Sequence, residues 1–218
     1  MSIFASRLTS LNTKEVRRYA RGEKLSEEFI DDIVLEAIAL VNPKGSFKIF
    51  DYDSKNAIIF SDDKKIQLEG KSIKKHLTNC EKVAVLALTV GEDIEKTVSK
   101  MSEEGEYARA LLLDAAATEA VEEAADAMEK VIDANAKREG FFLTFRFSPG
   151  YGDFPIEMQS EILKLSGGQE IGISLTSSLM LIPRKSITAI IGFKKGSCVF
   201  LENKCYDCKN INCAYRKV

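Results

Sequence analysis

The residues from Glu106 to Lys137 read as one helix, the longest in the chain, and any fold must cover its apolar sides. One apolar stripe runs Leu113, Ala117, Val121, Ala124, Met128 and Val131, close to heptad spacing. A second runs Ala108, Leu112, Ala115 and Ala116, and Glu119 follows three positions further on. A carboxylate therefore stands where small apolar residues suit close packing. Two readings of Glu119 stay open. It sits at the edge of a buried face and reaches water, or it faces a ligand that the small residues admit.

The rest of the chain supplies what could cover that helix. Ser26 is a suitable N-cap for a helix carrying Ile30, Ile33, Val34, Ala37, Ile38 and Val41, which Pro43 and Gly45 end. Three short runs follow, Ser46–Phe50, Ala57–Phe60 and Lys65–Leu68, separated by polar turns as in an antiparallel meander. Lys82–Thr89 is apolar almost throughout and predicts a buried strand. Gly140 ends the long helix, and Phe141–Phe147 predicts a strand. On it Phe141, Leu143, Phe145 and Phe147 share one face, and Phe142, Thr144, Arg146 and Ser148 the other. Pro155 opens a further helix that Gly167-Gly168 closes, and Ser186–Gly192 reads as a strand. The expected architecture is α+β: a twisted, mainly antiparallel sheet flanked by helices. The expected organisation is a single domain over 1–218, with an N-terminal helical segment at about 1–42 and a cysteine-containing tail at about 198–218.

Composition excludes several functions. The chain carries 31 Lys and Arg against 33 Asp and Glu, a formal charge of -2, so it lacks the basic excess that nucleic-acid phosphates demand. No stretch approaches the roughly 20 apolar residues that span a bilayer, and no apolar run at the N-terminus suits a signal peptide. A cytoplasmic location is expected, with cysteines as thiols or metal ligands. The sole histidine, His76, leaves little room for triad or multi-histidine chemistry, and it is expected on the solvated side of a short helix. Thr89-Val-Gly-Glu92 lies between a strand and a helix but lacks dinucleotide-loop or P-loop spacing.

Two segments carry chemistry. In Arg146-Phe-Ser-Pro-Gly-Tyr151-Gly-Asp153, a guanidinium at a strand end can grip a carboxylate bidentately. Gly150 and Gly152 let a ligand approach the main chain, and Tyr151 offers a flat face and a hydroxyl. The set suits a zwitterionic or nucleoside-like ligand, and an ordinary Pro-Gly turn with a surface arginine has the same pattern. The second segment is Cys205-x2-Cys208-x4-Cys213, with Cys198 upstream. Its thiols could hold zinc or an iron–sulfur cluster, act as a redox dithiol, or remain unliganded. Cys80 reads as a buried small hydrophobe.

Arg146-x-Ser-Pro-Gly-Tyr151, followed by Asp153 and Pro155, resembles the Arg-Pro-Ala-Pro-Gly-Tyr signature of the activation domain of cobalamin-dependent methionine synthase. Gly172-Ile-Ser-Leu-Thr-Ser-Ser178, Met180-Leu-Ile-Pro183 and Ser186-Ile-Thr-Ala-Ile-Ile-Gly192 are similar to its downstream part, most of all in short, free-standing versions. The resemblance runs from about Ala110 to Phe193 and is weak over the first hundred residues.

The resemblance implies that the chain binds S-adenosylmethionine in a shallow groove and supports the reductive remethylation of cob(II)alamin on methionine synthase or a related corrinoid methyltransferase. By position, Arg146 would hold the ligand's carboxylate, Ser148 and Gly150 would give main-chain contacts, Tyr151 would flank the groove, and Glu119 would touch the ligand. Ser148 stands where the family usually has Ala. The family also uses an aspartate near its N-terminus, which is not assigned here. No Asp-x-His-x-x-Gly pattern is present, so a partner module would supply the cobalamin, and an electron donor such as flavodoxin or ferredoxin would reduce it. The alternative is a non-catalytic partner module of a corrinoid protein with a metal- or redox-active cysteine tail.

Overall fold

A computed structural model describes residues 1–21, 25–62 and 64–195. Its elements are β1 (Ser2–Ala5), α1 (Thr13–Ala20), α2 (Glu27–Leu40), β2 (Lys44–Asp53), β3 (Ile58–Phe60), β4 (Lys65–Gln67), α3 (Lys71–His76), β5 (Cys80–Thr89), α4 (Asp93–Glu103), α5 (Tyr107–Arg138), β6 (Phe141–Leu143), α6 (Gln159–Ser166), β7 (Ser174–Leu175), β8 (Leu181–Ile182) and β9 (Ser186–Lys195). The Cys205, Cys208 and Cys213 tail, with Cys198, lies outside the described residues.

The fold is α+β. A seven-stranded sheet runs β4-β3-β2-β5-β9-β6, with β1 on the edge of β2 beside β3, and every pairing is antiparallel. β2, β3 and β4 form the expected meander. The first residues are a strand, not helix as the N-terminal expectation had it: Ser2–Ala5 lie against Lys44–Phe47.

β5 explains the two-layered core. Its Ala84, Leu86 and Leu88 point into a cluster with α1, α2, α4 and α5. Its Val83 and Val85 point the other way, onto Leu68, Ile73, Leu77, Phe154 and Ile162 around α3 and α6. A strand covered on both faces needs apolar residues at every position, which is why Lys82–Thr89 shows no alternation. α5 lies along the sheet on its alanines: Ala116, Ala117, Ala120 and Ala124 are at most 1% exposed. Small side chains let helix and sheet backbones approach.

Two helix expectations fail at their ends. Val131 is exposed and Ile132 fully buried in its stead, and Ala108 is exposed. A straight helix of 3.6 residues per turn drifts off a heptad stripe, so Ala124 and Met128 are continued by the residue four further on.

The strand after α5 also departs from simple alternation. Leu143 pairs with Phe193, but Phe147 pairs with Ile190. Four steps on one strand against three on the other mark one extra residue, a bulge across Thr144–Arg146. The Thr144 N–H donates to the Gly192 carbonyl at 2.9 Å, and the Gly192 N–H donates to Thr144 Oγ1 at 2.8 Å, closing the irregularity. A single-residue insertion exchanges the two faces. Phe141 and Leu143 therefore join the α5-side core, whereas Phe147 joins the opposite one. The expected shared face of Phe141, Leu143, Phe145 and Phe147 is corrected accordingly.

Leu86→Ala removes the centre of the α5-side core and is expected to cost about 2–5 kcal/mol. Urea unfolding followed by circular dichroism checks this, with an unchanged m-value if the native fold persists.

Candidate functional site

α5 presents carboxylates on one flank. Glu122, Asp126 and Glu129 recur at steps of four and three, which stacks them along one line of a helix. The bulge turns Arg146 to the same side, and its side chain is 7% exposed. Its Nη1 donates to Glu129 Oε2 at 3.0 Å, and its Nη2 donates to Asp126 Oδ1 at 2.6 Å and Glu122 Oε2 at 3.1 Å. The three carboxylates, led by Asp126, outweigh desolvation and hold the guanidinium's pKa above its ordinary value. The acids themselves are 27% to 45% exposed, so the cluster is covered on the strand side and open on the helix side.

Three carboxylates face one guanidinium. Neighbouring phenols register this field. Tyr19, on α1, is pushed up to about 12 by burial and by Glu122, with Glu119 adding to it. Tyr151 is raised by burial and by Glu122, against the opposing pull of Arg146 and the Ser148 hydroxyl. Glu119 is 5% exposed, so it does not reach water at a helix edge; it lies one turn before Glu122, near Tyr19.

The turn after Arg146 is tightly closed. The Tyr151 N–H donates to the Ser148 carbonyl at 3.1 Å, the Gly150 N–H to the Phe154 carbonyl at 2.8 Å, and the Phe154 N–H to the Tyr151 carbonyl at 3.0 Å. Gly150 has φ of 89°, a conformation that disfavours other residues. Phe154 is buried, while Tyr151 is 55% exposed with its ring edge against Phe147 at 5.8 Å. An exposed aromatic thus stands beside the acidic cluster.

Helix α3 grips this segment at two points. Asp153 caps it, accepting from Lys71 N and Ser72 N, each at 2.7 Å, and those two N–H groups hold its carboxyl down at about 2. At the other end, His76 Nε2 donates to the Phe145 carbonyl at 2.8 Å, and its ring packs on Phe145 and Phe147 at 4.2 and 4.9 Å. Burial and the nearby Lys194 lower the histidine's pKa. His76 is therefore a half-buried packing residue, not the solvated one expected from its polar neighbours.

Of the expected site residues, Arg146 and Tyr151 both neighbour Glu122, Ser148 bonds the Tyr151 hydroxyl, Gly150 lies in the turn between them, and Glu119 precedes Glu122 by three positions on α5. Two details differ from expectation. Arg146 is not free to grip a ligand with all its donors, because α5 already engages three N–H groups. The Gly150 N–H is spent within the turn, which leaves its carbonyl to offer. Sequence reasoning missed Glu122, Asp126 and Glu129, although their spacing from Glu119 was visible. It also missed Lys185, whose Nζ pairs with Asp114 at 2.9 Å and bonds Thr118 Oγ1 at 2.9 Å further up the same helix. A separate open cleft of about 390 Å³ lies between α4 and Ile182–Pro183, lined by Glu92, Glu95, Lys96 and Ser99. Cys80 is buried, and its thiol is pushed up to about 11, as befits a core residue. No group of metal ligands occurs among the described residues, and none of their helices is long and apolar enough to cross a membrane.

Residues 61–217 match the family model described as vitamin B12 dependent methionine synthase, activation domain. The matched span extends beyond the Ala110–Phe193 resemblance in both directions and includes the four tail cysteines. The fold is similar to a crystal structure of the MetH reactivation domain bound to AdoHcy. The TM-score is 0.63 at 13% identity, covering 92% of this chain and 81% of that one. No curated protein matches the sequence.

Asp153→Ala is expected to lower the melting temperature by uncapping α3. Because the folded carboxyl lies below its unfolded value, its contribution is present above about pH 4 and is lost as pH falls towards 2. Thermal melts of both proteins between about pH 6 and about pH 2 should converge at the acid end.

Proposed function

Since the chain belongs to the family of the vitamin B12 dependent methionine synthase activation domain, we propose that it binds S-adenosylmethionine beside Arg146 and serves the reductive reactivation of a corrinoid methyltransferase, with methionine synthase the first-choice partner. The observation that carries this reading is the cluster at Arg146, one buried guanidinium held by three partly exposed carboxylates. S-adenosylmethionine brings a carboxylate, an ammonium and a sulfonium together. A site with one buried cation among several acids has a counterpart for each.

The geometry supports the following roles. Arg146 takes the ligand carboxylate with its two uncommitted N–H groups or in exchange for a helix carboxylate. Asp126, at 45% exposed, and Glu122, at 38%, are the most accessible of the three. The acids so released, with Glu119, face the ammonium and the sulfonium. The Gly150 carbonyl and the Tyr151 ring flank the ligand, and Ser148 steadies the Tyr151 hydroxyl. Methyl transfer from a sulfonium needs alignment and exclusion of water, not a general acid or base. The site's lack of a histidine within reach of the acids suits that. Cobalamin, carried by the partner module and reduced by an electron donor such as flavodoxin or ferredoxin, supplies the methyl acceptor. The cytoplasm, where such donors operate, is the proposed location.

Calorimetry with S-adenosylmethionine tests the reading. The wild-type protein is expected to bind, and Arg146→Lys to weaken binding at least about tenfold, because an ammonium cannot replace the planar fork. The variant's melting curve separates lost affinity from lost folding. Mixing the protein with oxidised methionine synthase, an electron donor and labelled S-adenosylmethionine should yield labelled methylcobalamin. Absence of binding by the wild type, alone or with partner, overturns the proposal.

A further inference from the structure

We propose that His76 is a positioning residue for the ligand site: it holds Phe145 and Phe147 from the back of the strand and thereby fixes where Arg146, between them, presents its guanidinium. This rests on the binding proposed above for Arg146.

The bulge is the reason a clamp is needed. Between Leu143 and Phe147, Arg146 belongs to no regular ladder, so sheet pairing alone does not fix its backbone. Two contacts replace the missing ladder. On the front, the carboxylates of α5 hold the guanidinium. On the back, His76 Nε2 donates to the Phe145 carbonyl at 2.8 Å, and its ring lies against both flanking phenylalanines, at 4.2 and 4.9 Å. The residue reaches there because α3 is anchored by Asp153, from the same loop, at its N-terminus. One short helix thus braces the segment on both sides of Arg146 and Tyr151.

The donor role requires a proton on Nε2, which both the neutral Nε2–H ring and the imidazolium carry; the Phe145 carbonyl favours the charged form, and burial, with Lys194, opposes it more strongly. Lys194 on β9 acts on the ring, Lys74 and Lys75 precede it in sequence on α3, and the buried Cys80 thiol on β5 lies near Lys194. Arg146 points to the opposite face. Protonation therefore places a second positive charge beside Lys194 in a half-buried aromatic setting. A histidine whose folded-state pKa lies below its unfolded value loses its contribution as pH falls below the usual histidine range. Acidification thus disfavours the ring's packing against Phe145 and Phe147 beside Lys194, not its Nε2–H bond.

The test uses the full chain, with His76→Gln retaining an amide donor without titrating and His76→Ala removing the contact. S-adenosylmethionine affinity is measured from about pH 8 to about pH 5.5, bracketing the histidine range. Wild-type affinity is expected to fall relative to His76→Gln as the pH drops, and His76→Ala to bind about five- to tenfold more weakly at the upper end. Parallel profiles for wild type and His76→Gln, or a His76→Ala protein that is folded and binds as wild type, overturn the proposal. A ligand-independent readout keeps it apart from the binding claim. In the free protein, the Arg146 Nε–H resonance should follow the His76 titration in wild type and stay fixed in His76→Gln. A resonance that ignores the titration overturns the positioning role even if S-adenosylmethionine binds, and failure of the wild type to bind defeats the proposed function whatever the resonance does.

Discussion

The contact between Arg146 and the acidic row of α5 ties the two halves of the site together. A guanidinium at 7% exposure carries a desolvation cost of several kcal/mol if unpaired, and the carboxylates offset it. In doing so they fix the strand-to-turn segment against the longest helix. Everything that reads as ligand-facing hangs from this joint: Glu119 one turn earlier, Ser148 and Tyr151 just after. The open side of the acids keeps the joint accessible, so the same groups that hold the fold are those a charged ligand would meet.

Much of the fold was legible in the chain. Ser26 capped its helix as its position implied, its hydroxyl accepting from Phe29 N at 3.3 Å. The unbroken apolar run of β5 announced a strand buried on both faces, and Gly140 ended α5. What escaped was set by tertiary geometry. β1 is a short run whose strand character comes from the edge of β2, and nothing local favours it over coil. The bulge after Leu143 has no marker in Phe-Phe-Leu-Thr-Phe-Arg-Phe, since alternation looks unbroken there. It is seen only in the pairing with Gly192, which bonds Thr144 through both its N–H and its carbonyl.

The site was legible in part for the same reason. Residues adjacent in sequence, Arg146 to Tyr151, could be grouped by eye, and family resemblance added Glu119. The partners that hold Arg146 lie 17 to 24 positions away, on a helix read for its apolar stripes alone. His76 was misplaced because its lysine neighbours suggest water, whereas the half-turn that carries it faces two phenylalanines contributed by a segment 69 residues away.

The central pairing of the sheet has a consequence for how the molecule is made. β5 lies between β2, close in sequence, and β9, with Leu88 opposite Ile187. As the chain leaves the ribosome, α5 and the acidic row exist well before the strand that backs them. Helices form from local contacts, but a pairing across such a span waits for loop closure and comes late. Until β9 arrives, Arg146 has no Gly192 or Ile190 to set its bulge. The setting of Arg146 is therefore among the last features of the protein to mature, and an interruption of synthesis before β9 leaves its strand without the partner that fixes the bulge.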